Sequence, residues 1–451
     1  MHAWVARTLF YRPATALRGE PVGQCRAEVR AFHRLDGGGM REAQRQKLVR
    51  LLQFLWEHNA HYRGLMEENG IGPDRFPDLE HLPRLPILTK EAIKQRQADM
   101  LSRAHLRSSI RKTSGSTGLP LRFMKDRPAS AYMEAVMQEA YAWHGIRTGD
   151  RQGRIWGVPL NPRQRWLTRL KDGLLNRVRL VSFAMSEESC RRFHQKLRRF
   201  RPVFLYGLVN TTVEFVRTCR ILGLDPGALG LRVVITTGEV LFPHHRRLLA
   251  DAFRCPVVNE YGTTENGIIA MECPQGGMHL MSHNLVVEFL DPVSGRPVAP
   301  GELGEVVVTE LHSLALPFVR YRTGDLARPT DRLCGCGLAT PLVDEVVGRQ
   351  SDLLALAGGR RVSCTAIAYS MTEEVWRFRA IQRRPEELHV LLQGIRPLRD
   401  DDLARIESRL REALGAGLHL RLEAVAEIPP DPSGKFRYFV SSLGDGPAAG
   451  S

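Results

Sequence analysis

A chain of 451 residues is too long for one ordinary core, so two or three domains are expected. Its 43% hydrophobic and 25% charged residues are those of a soluble globular protein, and eight cysteines are too sparse for a disulfide scaffold. No run reaches the roughly 18 apolar residues of a membrane-spanning helix, and the net charge of +15 leaves an acidic partner, a membrane surface or an anionic substrate open.

The opening residues 1–20 carry Arg7 and Arg12 without a sustained apolar core or a small-residue cleavage site. No secretory signal is expected there, and the setting is expected to be cytoplasmic and reducing; a mitochondrial-type presequence is the weaker alternative. Residues 41–70 place Leu48, Leu51, Leu52, Leu55 and Trp56 at helical spacing, and Gly70 ends the pattern. A Pro-punctuated linker (Pro73, Pro77, Pro83, Pro86) leads to a helix start at Thr89-Lys90-Glu91.

From about 110 to 270, apolar strand candidates such as Val203–Tyr206, Leu231–Thr236 and Pro256–Glu260 alternate with helical stretches. That alternation predicts a mostly parallel sheet with helices on its faces. Residues 285–325 change to short β-rich runs joined by Pro and Gly turns. After Gly348-Arg349 a smaller unit has β-rich stretches near 387–393 and 418–425 around a helical Asp401–Leu414. The expected architecture is α/β: a large domain over 1–347 and a small α+β domain over 348–442, with a disordered tail at 443–451. Within the large domain, 1–105 is a helical lead-in, 106–284 the α/β core and 285–347 a β-rich subdomain.

Residues 163–201 hold twelve Lys and Arg against Asp172, Glu187 and Glu188. The stretch reads either as a solvated helix surface or as a face for an acidic carrier, a membrane surface or a nucleotide-bearing substrate. Nucleic acid is not expected, because no recognised binding motif accompanies the charge.

The chemistry sits in short runs. In Lys112-Thr113-Ser114-Gly115-Ser116-Thr117-Gly118, two glycines allow backbone approach to an anion and four hydroxyls supply donors. The spacing is not that of the common P-loop. Alone, such a run is more often a linker. Tyr261-Gly262-Thr263-Thr264-Glu265 offers an aromatic face for a base, hydroxyls for a phosphate and a carboxylate for Mg²⁺. In Tyr321-Arg322-Thr323-Gly324-Asp325, an acid after a tight turn can accept both hydroxyls of a ribose; Lys435 lies in a Pro- and Gly-rich segment near the end.

Taken in this order, these runs resemble the adenylate-forming superfamily of acyl- and aryl-CoA ligases, and within it the phenylacetate–CoA ligase branch with its capsule-biosynthesis relatives. The run around His61-Tyr62-Arg63 and Leu82–Lys90 resembles that branch's opening, and the likeness spans about 45 to 440. The resemblance implies ATP, Mg²⁺ and a small carboxylic acid as reactants, with CoA as the default acyl acceptor. It implies that Thr113, Ser114, Gly115, Ser116, Thr117 and Gly118 hold the β- and γ-phosphates, and that Gly238 and Glu239 lie on the adenine side. It implies that Tyr261 packs on adenine with Gly262 beside it in the nucleotide-binding set, that Thr264 meets the α-phosphate and that Glu265 binds Mg²⁺. Asp325 takes the ribose with Arg349 nearby, and Lys435 reaches the reacting carboxylate.

Two departures stand out. Ser351 occupies the first Asp of the branch's Gly-Arg-x-Asp-Asp run, and Arg360-Arg361 follow Gly358-Gly359 where the ligases have a glycine-rich loop for CoA. Transfer to an amine, a hydroxyl or a carrier protein is therefore the alternative second step, and a non-catalytic nucleotide-binding scaffold is the rival of another class. Separately, Cys273, His279, Cys334 and Cys336 form a Cys₃His set suited to structural zinc, or else are unpaired turn cysteines. Nothing in the sequence gives the oligomeric state.

Overall fold

The lead-in begins as helix because its apolar residues recur at three and four: Met40, Leu48, Leu51, Leu52 and Leu55 are buried along Gly37–His58. Its N-terminus is capped by Asp36, whose carboxylate accepts the Gly39 amide at 2.7 Å. The single helix expected over 41–70 is in fact two. Asn59 interrupts it with an extended backbone, caps a second helix (Ala60–Glu68) by accepting the Tyr62 amide, and donates to the Met100 carbonyl at 2.8 Å. A fully buried cap residue with three side-chain partners, Ser102 among them, outweighs the continuing apolar period.

The computed structural model describes residues 1–441 except 74–75, 77–78, 105, 114–120, 158–160, 182–184, 350–352, 357–360, 373, 416 and 430–437. Two compact units divide the chain: Met1–Glu239 with Ala250–Val346, and Val240–Leu249 with Val347–Ser451.

In the first unit, β1 (Ser108–Lys112) and β2 (Arg122–Asp126) pair as an antiparallel hairpin. The main sheet follows. β3 (Gln152–Trp156), β4 (Arg177–Val181), β5 (Phe204–Leu208), β6 (Val233–Thr237) and β7 (Val257–Thr263) are parallel, separated by helices. Then β8 (Gly267–Glu272), β9 (Met278–Leu280), β10 (Leu285–Leu290), β11 (Gly304–Glu310), β12 (Tyr321–Thr330) and β13 (Leu342–Arg349) extend the sheet, with β7–β8, β8–β9, β9–β13, β10–β11 and β11–β12 pairing antiparallel. The full order is β10-β11-β12-β13-β9-β8-β7-β6-β5-β3-β4. The β-rich residues after 285 thus continue one sheet with the parallel strands. The helix Arg127–Trp143 lies on the sheet with Ala131, Ala135 and Ala140 fully buried, small side chains that allow close approach.

In the second unit, β14 (Leu353–Ala355) pairs with β15 (Arg361–Ser363), and β16 (Val375–Arg384) with β17 (Glu387–Gly394). β18 (His419–Ala424) and β19 (Phe439–Ser441) flank the latter hairpin in parallel, in the order β18-β17-β16-β19. The helix Asp400–Leu414 buries Ile406, Leu410 and Leu414 at four-residue spacing in that unit's core. The architecture is the expected one: a large α/β unit and a small α+β unit.

Candidate active site

β7 runs out into a tight turn, and its residues are held by groups far along the chain. The Tyr261 phenol donates to Asp325 Oδ2 at 2.9 Å, and the Tyr321 phenol donates to Glu265 Oε1 at 3.0 Å. Both carboxylates are buried. Asp325 is set by its own turn: its amide donates to Thr323 Oγ1, which donates in turn to the Val306 carbonyl at 2.9 Å. Gly262 is required at the bulge of β7, because a Cβ there would lie 2.3 Å from the Gly267 carbonyl oxygen. Thr264 is exposed at the tip of the turn.

β7 and β12 are four neighbour steps apart in the sheet, about 19 Å if the sheet were flat. A 2.9 Å bond between Tyr261 and Asp325 therefore requires the sheet to coil far enough to bring its antiparallel half back toward β7.

Beneath the turn lies a charge pair with no counterpart in the sequence-based expectations. Lys125, on β2, is fully buried; its ammonium donates to the Glu265 carbonyl oxygen at 2.7 Å and to the Glu310 carboxylate. Asn266 donates to the same Glu310 oxygen at 3.4 Å. Burial drives the lysine down and the carboxyl up in pKa, and their contact opposes both. The sequence held one clue. Lys125 shares the inward side of its strand with buried Phe123, where a lysine needs a partner.

Thr113 sits at the base of the loop expected to hold phosphates. Its amide donates to the Leu121 carbonyl and its hydroxyl accepts the Leu121 amide, each at 2.9 Å. Ser114, Gly115, Ser116, Thr117, Gly118 and Lys435 lie outside the described residues, as do Ser351 and Gly358–Arg360. Gly238 has φ +75, the left-handed region that suits glycine. Glu239 beside it accepts the Asn210 amide at 2.7 Å, which places its carboxylate on the N-terminus of the helix Val209–Ile221. Arg349 ends β13 and groups with the second unit.

One residue before Tyr261, Glu260 is buried and accepts the phenols of Tyr141 and Tyr206 at 2.8 and 3.0 Å. Burial raises its carboxyl above the usual range, and these phenols act against that rise. Tyr206 stacks on Trp156, and the Arg154 guanidinium lies over both rings at 4.9 and 5.1 Å. Arg154 and Tyr206 line a cavity of about 120 Å³. Two buried polar atoms in its lining, Arg154 Nε and Thr148 Oγ1, have no hydrogen-bond partner among the described residues. His283 is buried and His312 half-buried; His312 stacks on both His283 and Tyr132, and desolvation holds both imidazoles well below their usual pKa.

Cys273, His279, Cys334 and Cys336 come together, with one ligand atom from each within 4.8 Å of all the others. The Cys273 and Cys334 sulfurs are 3.6 Å apart, close to the roughly 3.8 Å edge of a tetrahedron with Zn–S bonds near 2.3 Å. His279 presents Nε2 toward Cys336 at 3.2 Å while Thr340 pairs with Nδ1 at 2.8 Å, so the second nitrogen fixes the ring. A Cβ at Gly277 would fall 2.6 Å from the Cys334 sulfur, so the turn closes on the cluster only with glycine there. The four residues fit a structural zinc ion.

The chain is similar to several known proteins. The family model described as the CapK C-terminal domain matches residues 359–442. A phenylacetate–coenzyme A ligase of Thermus thermophilus is 24% identical over 428 residues, covering 88% of this chain and 95% of that protein. Protein CapK of Staphylococcus aureus is 20% identical over 415 residues, 89% of each chain. A crystal structure of 2-hydroxyisobutyryl-CoA ligase in the postadenylation state, bound to R3-HIB-AMP, superposes with a TM-score of 0.74 at 21% identity, covering 91% of each chain.

Proposed function

We propose that the chain is a member of the adenylate-forming superfamily, in the branch of the phenylacetate–CoA ligases and CapK, and that it activates a carboxylic acid with ATP and passes the acyl group to CoA. The observation that carries the proposal is the pair of long-range bonds, Tyr261–Asp325 and Tyr321–Glu265, that gather two separate motifs at one place. In this reading Tyr261 packs on adenine, Asp325 receives the ribose hydroxyls, and Glu239 holds the end of the helix beside the adenine side. Attack of a carboxylate on the α-phosphate brings two anions together; Glu265 would hold Mg²⁺, which would supply charge against that repulsion, and Lys435 is assigned to the same charge. No general base is needed, since the nucleophile is already ionised.

The acid's remote end is assigned to the cavity under Tyr206. Its volume approaches the ~150 Å³ that accommodates a benzene ring, so the acid is compact. The unmatched Arg154 and Thr148 atoms favour a polar group at that end.

The test is acid-dependent exchange of pyrophosphate into ATP across a panel of carboxylic acids, with and without CoA. Exchange with at least one acid is expected, and Glu265→Gln should lower it by at least ~10-fold while raising the Mg²⁺ concentration needed for half-maximal rate. Silence with every acid would leave only the nucleotide-binding scaffold. Exchange without CoA consumption would move the acyl group to an amine, hydroxyl or carrier. That second reading draws on the CapK match over 359–442, where the chain also carries Arg361.

We further propose zinc at Cys273, His279, Cys334 and Cys336, clamping the turn after β8 to the loop before β13. Purified protein should hold about one equivalent, and Cys334→Ser should lower both the content and the melting temperature. Less than about half an equivalent under metal-replete expression would count against the site.

A further inference from the structure

The helix Pro162–Leu174 is amphipathic in the opposite sense to a surface helix of a globular protein. Asp172 is buried on its inner side, where it pairs with Arg179 at 2.7 Å. Trp166, Leu167, Leu170 and Leu174 recur at helical spacing on the other side and are 62%, 48%, 48% and 36% exposed. Arg165 and Arg169 border this apolar stripe on one flank and Lys171 on the other, all three exposed. Trp4, on the neighbouring N-terminal helical segment, is 52% exposed as well. The neighbouring run of charge behaves otherwise: the helix Glu187–Phe200 buries Cys190, Phe193 and Leu197 and shows only charged and polar side chains fully to solvent.

An outward stripe of Trp and Leu edged by Arg and Lys has the pattern of a helix lying in a membrane interface, with rings and leucines among the acyl chains and cations at the headgroups. A second copy of the chain suits it less well, because a twofold contact would set the same arginines against each other. An anionic surface removes that conflict, and the net charge of +15 supplies long-range attraction. We propose that the helix Pro162–Leu174 docks the protein on anionic phospholipid bilayers, inserting Trp166, Leu167, Leu170 and Leu174 parallel to the surface. The enzyme would then act where its acid or its acyl acceptor is held at a membrane; the docking itself does not depend on the adenylation chemistry.

Co-sedimentation of the full chain with phosphatidylcholine vesicles, with and without added phosphatidylglycerol, tests this directly. Binding is expected only with the anionic lipid, weakening as salt rises, with a blue shift in tryptophan fluorescence. Trp166→Ser/Leu170→Ser should lower the partition coefficient by ~10-fold or more at an unchanged melting temperature, since both side chains are exposed. Arg165→Gln/Arg169→Gln should weaken binding and flatten its salt dependence while retaining the spectral shift at high lipid. Absence of binding to anionic vesicles, or binding that the Trp166/Leu170 variant leaves intact, overturns the proposal. So does a dimer seen by light scattering that this same variant dissociates, which would assign the stripe to a second copy.

Discussion

Lys125→Met is expected to destabilise the protein by about 3–5 kcal/mol, because it strands the Glu310 carboxylate in a fully buried position. Urea unfolding with a shared slope measures the loss. Lys125→Met/Glu310→Leu should recover most of it, as replacing both members of a buried pair with apolar groups is often close to neutral. Function should separate from stability in the double variant. The Glu265 carbonyl would still lack the ammonium that donates to it at 2.7 Å, so the KM for Mg·ATP in pyrophosphate exchange should stay raised. Recovery of both stability and KM would reduce Lys125 to a packing element.

Lys435→Ala is expected to cut acid-dependent pyrophosphate exchange by ~10²–10³, the usual cost of losing one group aimed at developing charge. The second half-reaction should respond differently. Supplied with a chemically prepared acyl-adenylate and CoA, the variant should form thioester at close to the native rate, because there the CoA sulfur attacks the acyl carbon and AMP leaves on its phosphate oxygen, so no anionic carboxylate has to approach the α-phosphorus. Equal loss in both halves would argue that the variant disturbs the second unit as a whole.

How much of this was legible in the sequence depends on how local each signal is. The runs 261–265 and 321–325 could be read because each motif lies on a few consecutive residues, and the strand periods of β5 to β7 were equally plain. Lys125 and Glu310 are 185 positions apart, and no local pattern tells a lone strand lysine that its partner ends another strand. The helix break at Asn59 was hidden for a related reason: the apolar period runs through it, and only the Met100 carbonyl and Ser102, brought in by folding, make the interruption favourable. Residues 163–201 looked like one basic stretch. Folding divides them into two helices of opposite sense, because Asp172 finds Arg179 on β4 and turns the leucines of the first helix outward.

The coiling that brings Tyr261 to Asp325 has a consequence for how the first unit unfolds. Its parallel half (β3 to β7) and its antiparallel half (β8 to β13) follow one another in the chain, and on the proposed function each alone would hold half of the nucleotide site. A ligand bridging the two binds only molecules in which both are folded. At a hundredfold excess over its dissociation constant it adds about 2.7 kcal/mol to that state alone and nothing to a half-folded one. A nucleotide bound as proposed would thus work as a cooperativity factor: it would depopulate partly open forms and draw the melting of the two halves into a single step.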